Sequence, residues 1–230
     1  MKEVLTQSVF FGVVISLLGY EIGVFVKKKT GLAIANPLLI GVLTVVAILL
    51  AFDIDFEAYE NGAKYISFFL TPATVSLAVP LYRQLGLLKK YPRAIFGGIT
   101  AGVLMAMGSI FILSIAFGLN HEQYVTLLPK SITTAIGMGV AEKMGGIAAV
   151  TVVAISITGI LGNILAETIC KIFKIEEPIA RGLAIGTSAH ALGTSKAMEL
   201  GEIEGAMSSL SIVVAGILTV ITTSIFANFI

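Results

Sequence analysis

Tryptophan is absent from this 230-residue chain, cysteine occurs once, histidine twice, and only 13% of the residues are charged. Each shortage excludes something. A single cysteine, Cys170, forbids an internal disulfide and argues against a cysteine-held metal. No metal constellation stands out among the remaining residues, and no cofactor is expected. A net charge of +1 removes any general attraction to nucleic acid. Soluble domains carry about a quarter charged residues, so the charge shortage itself argues against a soluble protein.

What replaces charge is hydrocarbon. The chain is 57% hydrophobic, with a mean hydropathy of +0.99. The apolar residues fall in blocks of roughly 17 to 25, the length that spans a bilayer's hydrocarbon core as a helix. The expected fold class is therefore all-α, a polytopic membrane protein of about seven to eight hydrophobic segments. Some of these should be broken or re-entrant. One membrane domain covers 1–230, and a sparse echo between residues 70–111 and 185–226 leaves open two repeats near 1–115 and 116–230. Lys2 before an apolar run resembles a signal peptide, but Gly19, Tyr20 and Glu21 offer no small-x-small cleavage site. The segment reads as a retained first helix, with Glu21 near the membrane interface.

The hydrophobic segments lie near 8–26, 36–52, 62–82, 94–118, 125–141, 147–170, 179–200 and 206–230. Lys27 to Lys29 follow the first, and Arg83, Lys89, Lys90 and Arg93 follow the third. Short loops rich in Lys and Arg stay cytoplasmic. The N-terminus should then be outside, and 27–35 and 83–93 inside. Lys171, Lys174 and Arg181 place 171–181 inside as well. Two segments separate an outside loop at 120 from an inside loop at 171, so one of them should fail to cross. The better candidate is 125–146, interrupted by Pro129, Gly137, Gly139, Gly145 and Gly146. Broken backbone at membrane depth survives only where protein or water covers it.

Three segments are both broken and polar. They are "FFLTPATVSLAVPLYRQ" (68–84), "LPKSITTAIGMGVAEKMGG" (128–146) and "GTSAHALGTSKAMELG" (186–201). Proline and glycine alone would mean kinks or close helix crossings. Three such segments in one chain, each loaded with Ser and Thr, point instead to a binding site. A helix interrupted inside the bilayer leaves N–H groups unpaired and a partly positive N-terminus, which suits a carboxylate. Transporters place discontinuous helices at the midplane for this purpose. Thr71, Thr74 and Ser76, then Ser131, Thr133 and Thr134, would add hydroxyl donors.

In the third segment a helix should start at Pro178, behind Glu176 and Glu177. Continued as one helix, it would set Thr187, His190 and Thr194 on one face, with Ser188 and Ser195 beside them. Gly186 and Gly193 would form a seam for close helix approach. His190 is either an ionisable group on a pathway or a hydrogen bond to a neighbouring helix. Gly186-Thr187-Ser188-Ala189 departs from the hydrolase elbow at position 190, and Ser188 and His190 point apart on a helix. No enzyme activity is expected.

On these segments, together with "NPLLIGVL" (36–43) and "AIGTSAHALGTSKAMELGEIEGAMSSL" (184–210), the chain resembles the LrgB/CidB family of antiholin-like bacterial membrane proteins. The likeness covers nearly the whole chain. It implies a multi-pass protein of the bacterial cell membrane and a holin-like LrgA/CidA-type partner. Two functions follow from it. One is regulation of murein hydrolase export and autolysis, opposing a holin-like protein. The other is transport of small organic acids such as pyruvate, with a plastid relative resembling a glycolate/glycerate translocator. The hydroxyl-rich broken segments favour transport, with helix ends near Thr71–Thr74, Ser131–Thr134 and Gly186–Ser188 converging on the substrate. The expected partners are thus a small organic acid, the holin-like protein and the lipid bilayer. A homo-oligomer stays open, and nucleic acid is excluded.

Overall fold

The computed structural model describes Ser8 and residues 10–32, 35–76 and 78–230, without the side chains at positions 70, 71, 74 and 80. Among the described residues every regular element is helical. Contacts divide the chain into two compact units, residues 1–76 and 77–230.

The first unit holds α1 (Phe11–Thr30), α2 (Pro37–Ala51), α3 (Phe56–Ser67) and α4 (Leu70–Ser76). Lys27, Lys28 and Lys29 fill the last turn of α1, where cations suit the helix dipole, and Gly31 ends it at φ 65°. Asn36 starts α2 by accepting from the N–H groups of Leu38 and Leu39 at 2.9 and 3.3 Å. Glycine lets these helices touch along their backbones: Gly19 of α1 faces Gly41 of α2, and Gly23 faces Pro37. The segment expected to be broken over 68–84 does lose its helical form at Phe68 and Phe69, between α3 and α4.

The second unit begins with α5 (Ala78–Arg83) and α6 (Leu85–Lys90). Then follow α7 (Pro92–Phe117), α8 (His121–Leu127), α9 (Thr134–Lys143), α10 (Ala148–Ile172), α11 (Pro178–Leu200) and α12 (Glu202–Phe226), closed by a 3₁₀ turn. Among the described residues three helices are long and apolar enough to cross a membrane: Pro92–Phe117, Ala148–Ile172 and Glu202–Phe229. Their outer faces expose Ile112, Leu113, Val153, Ile157, Val213 and Ile217. So much exposed apolar surface is a liability in water and ordinary in lipid.

α7 and α12 lie side by side and point the same way. Ile95, Ile99 and Val103 of α7 bury with Met207 and Leu210 near the start of α12. Met107 and Ile110 bury with Tyr124 and Ala227 at the other end. α10 runs in the opposite direction, starting beside that far end and finishing next to the start of α11.

Two hairpins fill the space between these helices. In the first, α8 enters from the far end, tied there by the Tyr124 hydroxyl donating to the Phe226 carbonyl at 2.9 Å. The chain loses its helical form over 128–133, and α9 leads it back. At Gly145 the backbone turns with φ 83°. Gly146 and Ile147 then return to Thr126, whose hydroxyl oxygen accepts from the Ile147 N–H at 2.8 Å. Residues 121–146 therefore go in and come back among the longer helices.

The second hairpin corrects an expectation. α11 starts at Pro178 as foreseen, with the Glu177 carboxylate accepting from the Ile179 and Ala180 N–H groups at 2.7 and 3.2 Å. It does not continue straight. His190 sits at φ 43°, ψ −139°, which is not helical. Residues 191–200 fold back along 178–189. Ile185 and Ala197 share one buried cluster, and a Cβ at Gly193 would lie 3.1 Å from the Ile185 carbonyl oxygen. Eight residues apart in a straight helix would be about 12 Å. Thr187, His190 and Thr194 consequently do not form one helical face. This hairpin enters from the near end of α12, opposite to the first.

Candidate functional site

A groove of about 1120 Å³ runs between α7, α10 and the first leg of α11. Its α7 wall is Ala94, Gly98, Gly102, Met105, Ala106 and Ser109, a stripe at helical spacing. Glycine and alanine there let the hairpin leg come close: Leu183 approaches Gly98, and the Thr187 methyl lies 2.7 Å from where a Cβ on Gly102 would be. α10 contributes Thr158, Leu161, Gly162 and Leu165, and the first hairpin contributes Lys130 and Ser131. Tyr91 and Glu177 stand at one end. Mostly apolar walls with a few polar groups are typical of small-ligand sites.

Three expected site residues, Ser131, Thr187 and Ser188, line this groove. Ser131 accepts a hydrogen bond from the Lys130 ammonium at 3.3 Å. Ser188 donates back to the Ala184 carbonyl at 2.7 Å. Thr187 is 5% exposed, and its hydroxyl has no hydrogen-bond partner. A buried hydroxyl without a partner is uncommon and costly.

The other expected residues sit elsewhere. Thr133 and Thr134 head α9, where Thr133 makes no side-chain cap, and neither is on the groove wall. Gly186 presses against the Ser208 backbone of α12. Thr194 and Ser208 share a buried hydroxyl pair at 2.7 Å. Ser195 accepts from the Asn163 amide at 3.0 Å, and the same amide donates to the Leu192 carbonyl at 2.7 Å. Gly193 packs on Ala189 of the facing leg. These four hold the hairpin in place. Ser76 belongs to the first unit, is exposed, and donates to the Pro72 carbonyl at 2.8 Å. Thr71 and Thr74 lie outside the residues whose side chains are described.

His190 is 4% exposed, with Nε2 3.1 Å from the Ile155 carbonyl oxygen. It is not on the groove wall. Of the two alternatives left by the sequence, its contacts are those of a hydrogen bond to the neighbouring helix. Space for its ring comes from Gly159, where a Cβ would sit 2.7 Å from the imidazole.

Two residues were overlooked in the sequence. Asn163 pins the returning leg from inside α10. Among the described residues Lys130 is the only basic one on the groove wall. A lysine inside an otherwise apolar block is a signal in its own right, and "LPKSITT" carries it.

Long apolar helices with two broken hairpins packed between them have the make-up of an α-helical membrane protein. The family model described as the LrgB-like family matches residues 16–229, and the chain belongs to that family. It is 38% identical over 226 residues to the antiholin-like protein LrgB of Bacillus cereus (strain B4264), covering 98% of each chain. The antiholin-like protein LrgB of Bacillus anthracis (strain A0248) matches to the same extent, 38% over 226 residues and 98% of each chain. No solved structure gives a significant match.

Proposed function

We infer that this protein is a carrier of small organic monocarboxylates, of the pyruvate, glycolate or glycerate kind, in the bacterial cell membrane. A holin-like LrgA/CidA-type protein would work with it. One observation carries this reading: two broken hairpins enter from opposite ends of the long helices and border a common groove. A long helix followed by a hairpin occurs twice, as 92–146 and 148–200, and the two run in opposite senses. Inverted units with discontinuous helices are the architecture of many secondary transporters, in which each half can rock against the other. A protein that only bound a holin would need neither the hairpins nor a groove with polar groups inside it.

The charge pattern sets this carrier with 83–93 and 171–181 on the cytoplasmic side and the N-terminus outside. The groove end at Tyr91 and Glu177 then opens toward the cytoplasm.

A second reading has its own support, since the relatives bear the name antiholin-like protein LrgB. On that reading the chain regulates murein hydrolase export and autolysis without moving a solute. Uptake of radiolabelled pyruvate into liposomes containing only this chain separates the two. Accumulation above empty liposomes, saturable and competed by glycolate, is expected of the carrier. Uptake only after co-reconstitution with the holin-like protein would make the partner part of the carrier. No uptake in either case would leave the regulator.

A further inference from the structure

We propose that Lys130 and Ser131 form an anion subsite in the groove, receiving the single carboxylate of the carried molecule. The proposal rests on the carrier reading and says which atoms would hold the substrate.

Charge on the groove wall is scarce and unevenly satisfied. Among the described residues its two charged ones are Lys130 and Glu177. The Glu177 carboxylate already accepts two backbone N–H groups at the start of α11. Lys130 lies elsewhere on the wall, and among the described residues it forms no ion pair. Its one hydrogen bond goes to the neutral Ser131 hydroxyl at 3.3 Å. An ammonium has three donors, and a charge taken out of water needs an opposite charge or a full set of bonds. A carboxylate in the groove would supply both.

Ser131 is the second group: it lines the same wall, and its hydroxyl oxygen accepts from the Lys130 ammonium. Its O–H can donate to an oxygen of a ligand that Lys130 holds. The charge is provided by a side chain here, not by the N-terminus of α9, where the expected Thr133 and Thr134 are off the wall.

The same charge count restricts the ligand. One cation among apolar walls neutralises one negative charge. A dicarboxylate or phosphate would bring a second charge with no partner, at a large desolvation cost. A neutral ester would leave Lys130 as it is.

The test is equilibrium binding of radiolabelled pyruvate to the full chain in lipid nanodiscs, with acetate, lactate, glycolate, malonate and methyl pyruvate as competitors. The monocarboxylates should compete, and malonate and methyl pyruvate should not. Lys130→Gln should weaken binding roughly tenfold or more, the scale for a hydrogen bond to a charged group. Lys130→Arg should keep much of it. Ser131→Ala should weaken it several-fold and answers the question if Lys130→Gln does not fold. Ser224→Ala, exposed near the end of α12 and off the groove, should bind as wild type. Binding unchanged in both Lys130→Gln and Ser131→Ala overturns the subsite, as does a wild type that binds none of the monocarboxylates. Lys130-dependent binding without liposome uptake keeps the subsite and removes the carrier. Uptake that is indifferent to Lys130→Gln does the reverse.

Discussion

His190 is where one side chain type and one backbone shape conflict. Its φ of 43° with ψ −139° is the mirror image of an extended conformation, open to glycine and strained for any residue with a Cβ. The strain is held by packing against Gly159 and by the bond to the Ile155 carbonyl. A specific ranking results. His190→Ala loses the bond and keeps the strain, whereas His190→Gly loses the same bond and relieves it. The glycine variant should be the more stable, by about 1–2 kcal/mol, in thermal unfolding of the detergent-solubilised protein. Ordinary helix propensity predicts the opposite order, with glycine about 1 kcal/mol worse. An alanine variant as stable as the glycine one would mean that no reversal occurs at 190. The glycines of the packing seams give a second residue-scale prediction. A Cβ at Gly182 would lie 2.5 Å from the Glu204 carbonyl oxygen, whereas at Gly108 nothing stands within 4 Å. Gly182→Ala should destabilise by roughly 1–3 kcal/mol, and Gly108→Ala should be neutral or stabilising by up to about 1 kcal/mol.

At the scale of elements, the start of α11 was legible and its reversal was not. Glu177 followed by Pro178 is a local helix-start signal, and the structure uses both residues that way. No such signal marks position 190, because neither glycine nor proline stands there. The break depends on a carbonyl and a bare glycine presented by α10. Cysteines at Ile185 and Gly193, with Cys170 replaced by serine, test the reversal directly. Disulfides need Cα atoms within about 7 Å, and a straight helix would hold these two about 12 Å apart. Oxidation should link them within one chain, visible by mass spectrometry of the digested protein. Failure to link under conditions that link Thr194→Cys with Ser208→Cys, whose native hydroxyls are 2.7 Å apart, would restore a straight helix. The ion pairs of Lys196 with Glu167 at 3.5 Å and with Glu199 at 3.1 Å lie toward the surface. They should add little to stability.

For the whole molecule, the carrier reading makes a prediction about crossings: with 121–146 and 178–200 both returning to the side they came from, α7, α10 and α12 would cross alternately, as the basic loops require. In a Cys170→Ser background, cysteines at Glu57, Asn120 and Gly145 should react with an impermeant reagent added outside intact cells. Cysteines at Lys89, Lys174 and Glu199 should react only after permeabilisation. Matching labels at Asn120 and Gly145 report the first hairpin, and at Lys174 and Glu199 the second. A difference within either pair would make that segment a full crossing, and a reversal of every label would invert the protein.

Composition and hydropathy alone settled the helical membrane class, because a bilayer accepts few other sequences of this kind. They also located the three polar broken segments, since Pro, Gly, Ser and Thr are conspicuous against hydrocarbon. What they could not settle is which polar residues face the same space. Lys130 and Thr187 border one groove, while Thr194 and Ser195, only a few residues on, are turned to α12 and α10. That sorting is made by the reversal at His190, whose ring bonds to a carbonyl 35 residues earlier in the chain. Periodicity describes a helix relative to its own axis. Where the axis folds back is decided by the neighbours it packs against, and only the tertiary structure brings those together.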